Sequence, residues 1–150
     1  MIYSIQKIVN QFEAIVASHS EIKSFGYGAS FDIDKIKQED DLFPQLWVEP
    51  VNTQIILNRN SGQDQRRFII YCYDLIRQDE ENMISVWNTT ELILIDICRI
   101  FAYQSQNYKI ANNPILTPFQ EKYGDNVTGY FCEIVIETPQ NTGTCDIPTN

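Results

Sequence analysis

The stretch TGYFCEIVIETP, residues 128–139, alternates regularly enough to fix its own conformation. Successive side chains of an extended strand point to opposite faces, so Tyr130, Cys132, Ile134 and Ile136 share one side. Phe131, Glu133, Val135 and Glu137 share the other. The first face predicts contact with a core; the second, carrying two carboxylates, predicts a half-solvated surface. Turn chemistry precedes it, in the Gly-Asp-Asn of residues 124–126. This strand is expected to complete a sheet, and candidate members lie upstream.

Two of those members are plain. LWVEPVNTQIILN (residues 46–58) and RRFIIYCYDLI (66–76) are β-branched and aromatic runs. The polar RNSGQDQ between them suggests a longish hairpin and an antiparallel pair. Pro50 has no amide to give to a ladder, so its strand bends there or lies at an edge. Upstream, FGYGASFDID (25–34) reads as a loop feeding a strand, and KIKQEDDLFPQ (35–45) as an exposed acidic excursion stopped by Pro44. Between the long helix and the final strand, NYKIANNPILTPFQEKY (107–123) reads as an extended segment punctuated by Pro114 and Pro118.

Helical spacing marks two other segments. From Ile2 to Val16, the residues Ile5, Ile8, Val9, Phe12, Ile15 and Val16 recur at steps of three and four, on one face of a helix. In residues 77–104, Val86, Thr90, Ile93, Ile97 and Ile100 do the same, widened by Leu94, Cys98 and Phe101. Asp79, Glu80 and Glu81 are placed to meet the unpaired amides and positive dipole end of that helix. The order α-β-β-β-α-β-β predicts an α+β fold, a mostly antiparallel sheet packed with two amphipathic helices.

The 150 residues suit one domain, long enough to remove about 68–70% of its unfolded surface from water. Residues 1–138 are expected to form it, with 139–150 as a polar C-terminal tail or arm. A formal charge of −9, from 20 acidic and 11 basic side chains, opposes tight binding of nucleic acid. The N-terminal residues lack the unbroken apolar centre of a secretion signal, and no apolar run approaches the ~20 residues of a membrane span. The expectation is a protein made in the cytoplasm, with no membrane partner.

No familiar catalytic constellation is present. His19 is the single histidine, and its place near the end of the first helix suits a polar C-terminal side chain better than a catalytic base. Cys72, Cys98 and Cys132 sit in apolar patterns and read as buried, inert thiols. Cys145 lies in the polar tail, where a free thiol, a bond to Cys132 and a partner contact all stay open. The pairs Asp32/Asp34 and Asp40/Asp41 lack the register of a calcium loop and read as solvated acids. Arg66 and Arg67 form either a basic hairpin tip or ordinary solvated charge beside a strand. Trp47 and Trp87 are large anchors, for a core first and a subunit interface second. The residues name no catalytic, cofactor-binding or metal site, and an enzyme is the minority reading.

The strand TGYFCEIVIETP with the CDIP of residues 145–148 resembles the carboxyl end of small neck and tail proteins of bacteriophages of gut Bacteroides, including the crAss-like group. DEENMISVWNTTELILIDICRIF (79–101) is similar to the helix such proteins place in their middle, and the element order is similar to tail terminator proteins of long-tailed phages. The resemblance covers about half the chain and implies a tail terminator-like fold and a non-enzymatic virion role. It implies a homo-oligomeric ring, six- or twelvefold, a head-to-tail connector joining the portal side of the neck to the tail. Its partners would be portal, neck and tail proteins, with DNA passing through the channel without specific binding, and no cofactor. The reading from a different class is a monomeric cytoplasmic module that binds a protein or small ligand.

Overall fold

A computed structural model describes residues 4–28, 42–57, 63–76, 82–104, 108–121 and 127–139. The elements run α1 (Ile5–Ser18), β1 (Ser24–Tyr27), β2 (Gln45–Ile55), β3 (Gln63–Leu75), α2 (Met83–Gln104), β4 (Lys109–Ile110), β5 (Thr117–Glu121) and β6 (Val127–Pro139). The α+β class, with its mostly antiparallel sheet and two helices, is as expected. One more strand is present than the sequence suggested, because the proline-punctuated segment contributes both β4 and β5. The tail expected at 139–150 lies outside the described residues except for Pro139, which ends β6.

The helix α1 starts where Ser4 turns its hydroxyl back to accept from the amide of Lys7 at 3.2 Å. It ends at His19, whose backbone amide bonds the carbonyls of Ile15 and Val16. Ile8, Val9, Phe12, Ile15 and Val16 are buried as their spacing predicts, but Ile5 is exposed at the helix start. In α2 the buried stripe is Val86, Thr90, Ile93, Leu94, Ile97 and Phe101, while Cys98 and Ile100 pack against the core half-buried. Thr90 is tolerated mid-helix because its hydroxyl donates to the Val86 carbonyl at 2.8 Å. The first turn of α2 holds no carboxylate. Its first intrahelical bond runs from the amide of Val86 to the carbonyl of Asn82, and Asp79, Glu80 and Glu81 lie outside the described residues.

The sheet has six strands in the order β1-β2-β3-β6-β4, with β5 also on β6. β3 and β6 pair antiparallel along their whole length, from Gln63 with Pro139 to Leu75 with Val127. β2 runs antiparallel to β3, and β1 is parallel to β2, an orientation that nothing in the local sequence announced. Both helices lie over one face. Phe12 joins the three parts there, its ring centroid 5.9 Å from Phe68 of β3 and 4.5 Å from Phe101 of α2. Cys132, Ile134 and Ile136 are buried on this face and Tyr130 packs against it, as the alternation of β6 requires. The opposite face is more than half-wet surface: Phe43, Trp47, Tyr73 and Val127 make a second small core, flanked by Tyr71, Leu75 and Phe119.

The outer side of β6 is closed by an unusual device. β5 pairs with residues 127–131 and β4 with Ile136 and Glu137, leaving a gap between them. Asn112 fills it: its side-chain amide donates to the Glu133 carbonyl, and its side-chain oxygen accepts from the Val135 amide, each at 2.9 Å. The amide of Ala111 adds a bond to the Val135 carbonyl at 2.8 Å. One side chain thus stands in for a missing piece of strand, satisfying backbone groups that burial would otherwise orphan.

Candidate functional site

His19 is held as a structural group. Its Nδ1 accepts from the Glu21 amide, and the Nε2 proton faces Asp96 Oδ2 of α2, both at 3.2 Å. Both ring nitrogens are therefore occupied, Nε2 in tying the end of α1 to α2 and Nδ1 in holding the segment just after α1, which agrees with the helix-end reading. Among the described residues no cluster of His, Cys, Asp and Glu is placed to hold a metal ion. The carboxylates Asp32, Asp34, Asp40 and Asp41, and Cys145, lie outside the described residues.

Arg66 and Arg67 are not at a hairpin tip. Both lie inside β3, which begins at Gln63, within the polar RNSGQDQ run (59–65) read as the hairpin connection. The reason is pairing across to β6. Arg66 is only 8% exposed and donates to Thr138 Oγ1 at 2.8 Å, Arg67 meets Glu133, and Gln65 donates to Glu137. Polar side chains persist in a central strand when the strand beside them offers partners. Trp47 is buried in the second core, and Trp87 is half-buried, its indole N–H donating to Thr128 Oγ1 at 2.7 Å. Tyr71 donates its hydroxyl to Glu49 on the helix-free face; burial first, then that bond and the Glu49 charge, push its phenol up to about 12.

The thiols divide into two kinds. Cys72 is wholly buried, and burial pushes its thiol up. Cys132 on β6 is buried in the main core and Cys98 on α2 packs half-buried against it. The Cys98 side chain and then burial push the Cys132 thiol up, while Cys132 draws the Cys98 thiol below its ordinary value against the opposing effect of burial.

The described cavities are shallow. A half-open groove of about 230 Å³ runs between the helix ends, bounded by Gln11, Ile15, Ser18, Ile100 and Gln104. That is below the ~300–1,000 Å³ usual for small-molecule sites, and it has no converging set of charged groups.

The sheet margin at β2 is the more telling feature. β1 pairs only with Gln45–Val48, and the last bond between them runs from the Gly28 amide to the Val48 carbonyl. Backbone groups of alternate residues turn to the same side, so Pro50 also faces that margin, where its missing N–H leaves nothing unpaired. The ladder with β3 shifts register between Pro50 and Asn52, the bend that Pro50 predicted. Beyond it every residue from Val51 to Ile55 is exposed, and no described strand lies on the side away from β3. Val51 is 45%, Ile55 64% and the following Leu57 92% exposed. Periodicity marked this stretch as strand but could not show that no described strand flanks its outer edge. No protein-family model matches the chain, and no curated protein matches it.

Proposed function

We propose that the chain is a non-enzymatic subunit of a homo-oligomeric ring in the neck or tail of a bacteriophage, a head-to-tail connector or tail terminator. The supporting observation is the margin of β2 beyond Val48, where no described strand pairs on the side away from β3. An exposed, apolar strand edge offers unpaired amides and carbonyls to any extended chain, and monomeric proteins generally blunt such edges with charge or cover them. Here Val51, Ile55 and Leu57 stand exposed along or just beyond it instead. Strand addition by a neighbouring copy covers both the polar edge and the apolar side chains in one contact. Repeated head to tail about an axis, that contact closes a ring.

The virion assignment itself rests on the resemblance of residues 79–101, 128–139 and 145–148. In this reading the channel passes DNA without gripping it, since a chain of net charge −9 repels a polyanion. A bore lined by arginine and lysine would overturn that part. No described helix is long and apolar enough to cross a membrane. The competing reading is a monomeric module that binds a protein or small ligand, and an enzyme would need a deep pocket with converging polar groups; the described grooves are small and open.

Light scattering after size exclusion, with electron microscopy of purified particles, tests the proposal. A closed ring in solution, or density for this chain at the neck or tail, is the expected result. A strict monomer at high concentration that never copurifies with particles refutes it. Removing residues 140–150 asks whether the tail serves as an arm: weaker assembly with the fold intact is expected, and unchanged assembly counts against it.

A further inference from the structure

Helix α2 is apolar on two sides. Its buried stripe faces the sheet, yet a second row runs along the outer surface: Ile84, Asn88, Leu92, Ile95, Arg99 and Tyr103. Steps of four, four, three, four and four residues keep these side chains on one side of the helix. Ile84 is 79%, Leu92 52% and Tyr103 83% exposed, and Ile95 is half-buried. A helix apolar on both sides is ordinarily covered on both sides, because water gains nothing from such a row. We propose that α2 packs antiparallel on α2 of a second copy, about a two-fold axis passing between Leu92 and Ile95. The contact uses the helix layer and not the margin of β2, so it stands independently of the ring.

The chemistry of the row selects both the partner and the direction. From either end it runs apolar, polar, apolar toward its centre. A two-fold axis there sets Ile84 toward Tyr103, Asn88 toward Arg99 and Leu92 toward Ile95 of the other copy, each pair occurring twice. Apolar residues thus meet apolar residues, and the Arg99 guanidinium donates to the Asn88 side-chain oxygen. A parallel pairing would set each residue against itself and bring Arg99 onto Arg99. Glu91 lies one helical turn from Asn88, where Arg99 of the other copy reaches its carboxylate as well. Net charge −9 opposes most self-contacts of this chain, but the row carries a single charge, and that charge is positive.

Rows spaced by four form ridges that pack between the equivalent ridges of a second helix at a crossing of about 50°. The antiparallel direction carries Ile84 of the other copy to the end of α2 that bears Tyr103. Ile100 and Gln104 at that end border the half-open groove of about 230 Å³ between the helix ends. That groove is wide enough for an isoleucine side chain, so the contact fills it from outside.

The test uses the full chain carrying Val51→Lys and Ile55→Lys, which charges the margin of β2 and leaves α2 untouched. Sedimentation equilibrium of this protein should show a reversible dimer. Adding Leu92→Lys should raise the dissociation constant by about tenfold or more, with circular dichroism and the unfolding midpoint unchanged, because Leu92 is already 52% exposed. Arg99→Glu should weaken the dimer similarly, and Glu91→Arg added to it should restore the dimer by reversing the ion pair. Residues that served only the stability of their own helix would give no such rescue. A single chain at every concentration, even one that takes a different protein onto this row, would overturn the contact. So would a dimer indifferent to Leu92→Lys, or a charge reversal that restores nothing. A parent chain that forms this dimer and no ring supports the α2 contact while it refutes the ring, so the two failures are separate.

Discussion

Gly129→Ala is the sharpest available probe of the sheet. A Cβ at this position would lie 1.9 Å from the Cys72 carbonyl oxygen, 2.8 Å from Tyr73 Cα and 2.9 Å from the Cys72 carbonyl carbon. Ordinary contact begins near 3.4 Å, so β6 and β3 must part by about 1.5 Å there. Neither strand has room to yield. β3 is held on its far side by Gln45 and Leu46 of β2, and β6 by Phe119 of β5, which pairs with Gly129 itself. Breaking about two buried backbone hydrogen bonds, at about 1–3 kcal/mol each, predicts a loss of about 4 kcal/mol. Against a total stability of about 5–15 kcal/mol, that is a large fraction. Gly26→Ala is the control. Its Cβ would meet Trp47 ring carbons at 2.7 and 2.8 Å, a side chain rather than backbone, and β1 is an edge strand free to shift. A cost of about 1–2 kcal/mol is expected there. Equilibrium guanidinium unfolding, followed by tryptophan fluorescence and far-ultraviolet dichroism, measures both. If Gly129→Ala loses less than Gly26→Ala, or stays within about 1 kcal/mol of the parent at unchanged denaturant slope, the reasoning on backbone crowding fails.

Three further outcomes are expected. Asn112→Ala removes both bonds that bridge the gap in the outer margin of β6 and orphans the amide of buried Val135; about 2 kcal/mol should be lost in the same unfolding assay, and Asn112→Asp, which keeps only the acceptor, should recover part of it. Tyr71 ionises late, near 12 rather than at its ordinary 10. Its contribution to stability is therefore intact below pH 10 and lost as the pH rises toward 12, and in a native-state titration of phenolate absorbance Tyr71→Phe should delete one component of that midpoint. Val51→Lys with Ile55→Lys places charge on the open margin of β2, where each side chain is already exposed. Unfolding free energy should move by less than about 0.5 kcal/mol while oligomer mass falls; unchanged mass would remove β2 from the interface.

Local signals carried most of the fold. The faces of β6, the buried stripes of both helices and the irregularity at Pro50 were legible because period and proline chemistry are properties of a few neighbouring residues. What depended on distant partners was not. Arg66 looked like loop charge because Thr138, which satisfies it, is 72 residues away. Asn112 lies between Ala111 and Asn113 in the segment read only as extended and proline-punctuated, yet its side chain serves as strand for residues 133–135. The parallel β1–β2 pairing turns on the path of the chain between them, and local composition does not encode it. For the candidate site the same division holds: residues 46–58 announced a strand, but an edge is defined by what does not pair with it.

The layout of the sheet also constrains which assemblies the open edge can build. If the edge at residues 51–55 pairs with the same edge of a second copy, the contact is isologous and stops at two chains. The proposed ring needs a second and different surface on each subunit. The opposite margin supplies a candidate, since no described strand lies beyond β5, a strand that carries Pro118 as edge strands tolerate. Addition of β2 of one copy to β5 of the next would run a sheet from subunit to subunit. It would leave the α-helical layers of all copies on one side of that sheet, because each subunit keeps both helices on a single face. Such a wall has a helical surface and a helix-free surface bearing Tyr71, Phe131, Glu133 and Glu137. Self-pairing at β2 allows no such wall. A measured mass of two chains that Val51→Lys splits to one would therefore select the isologous contact and rule out the ring.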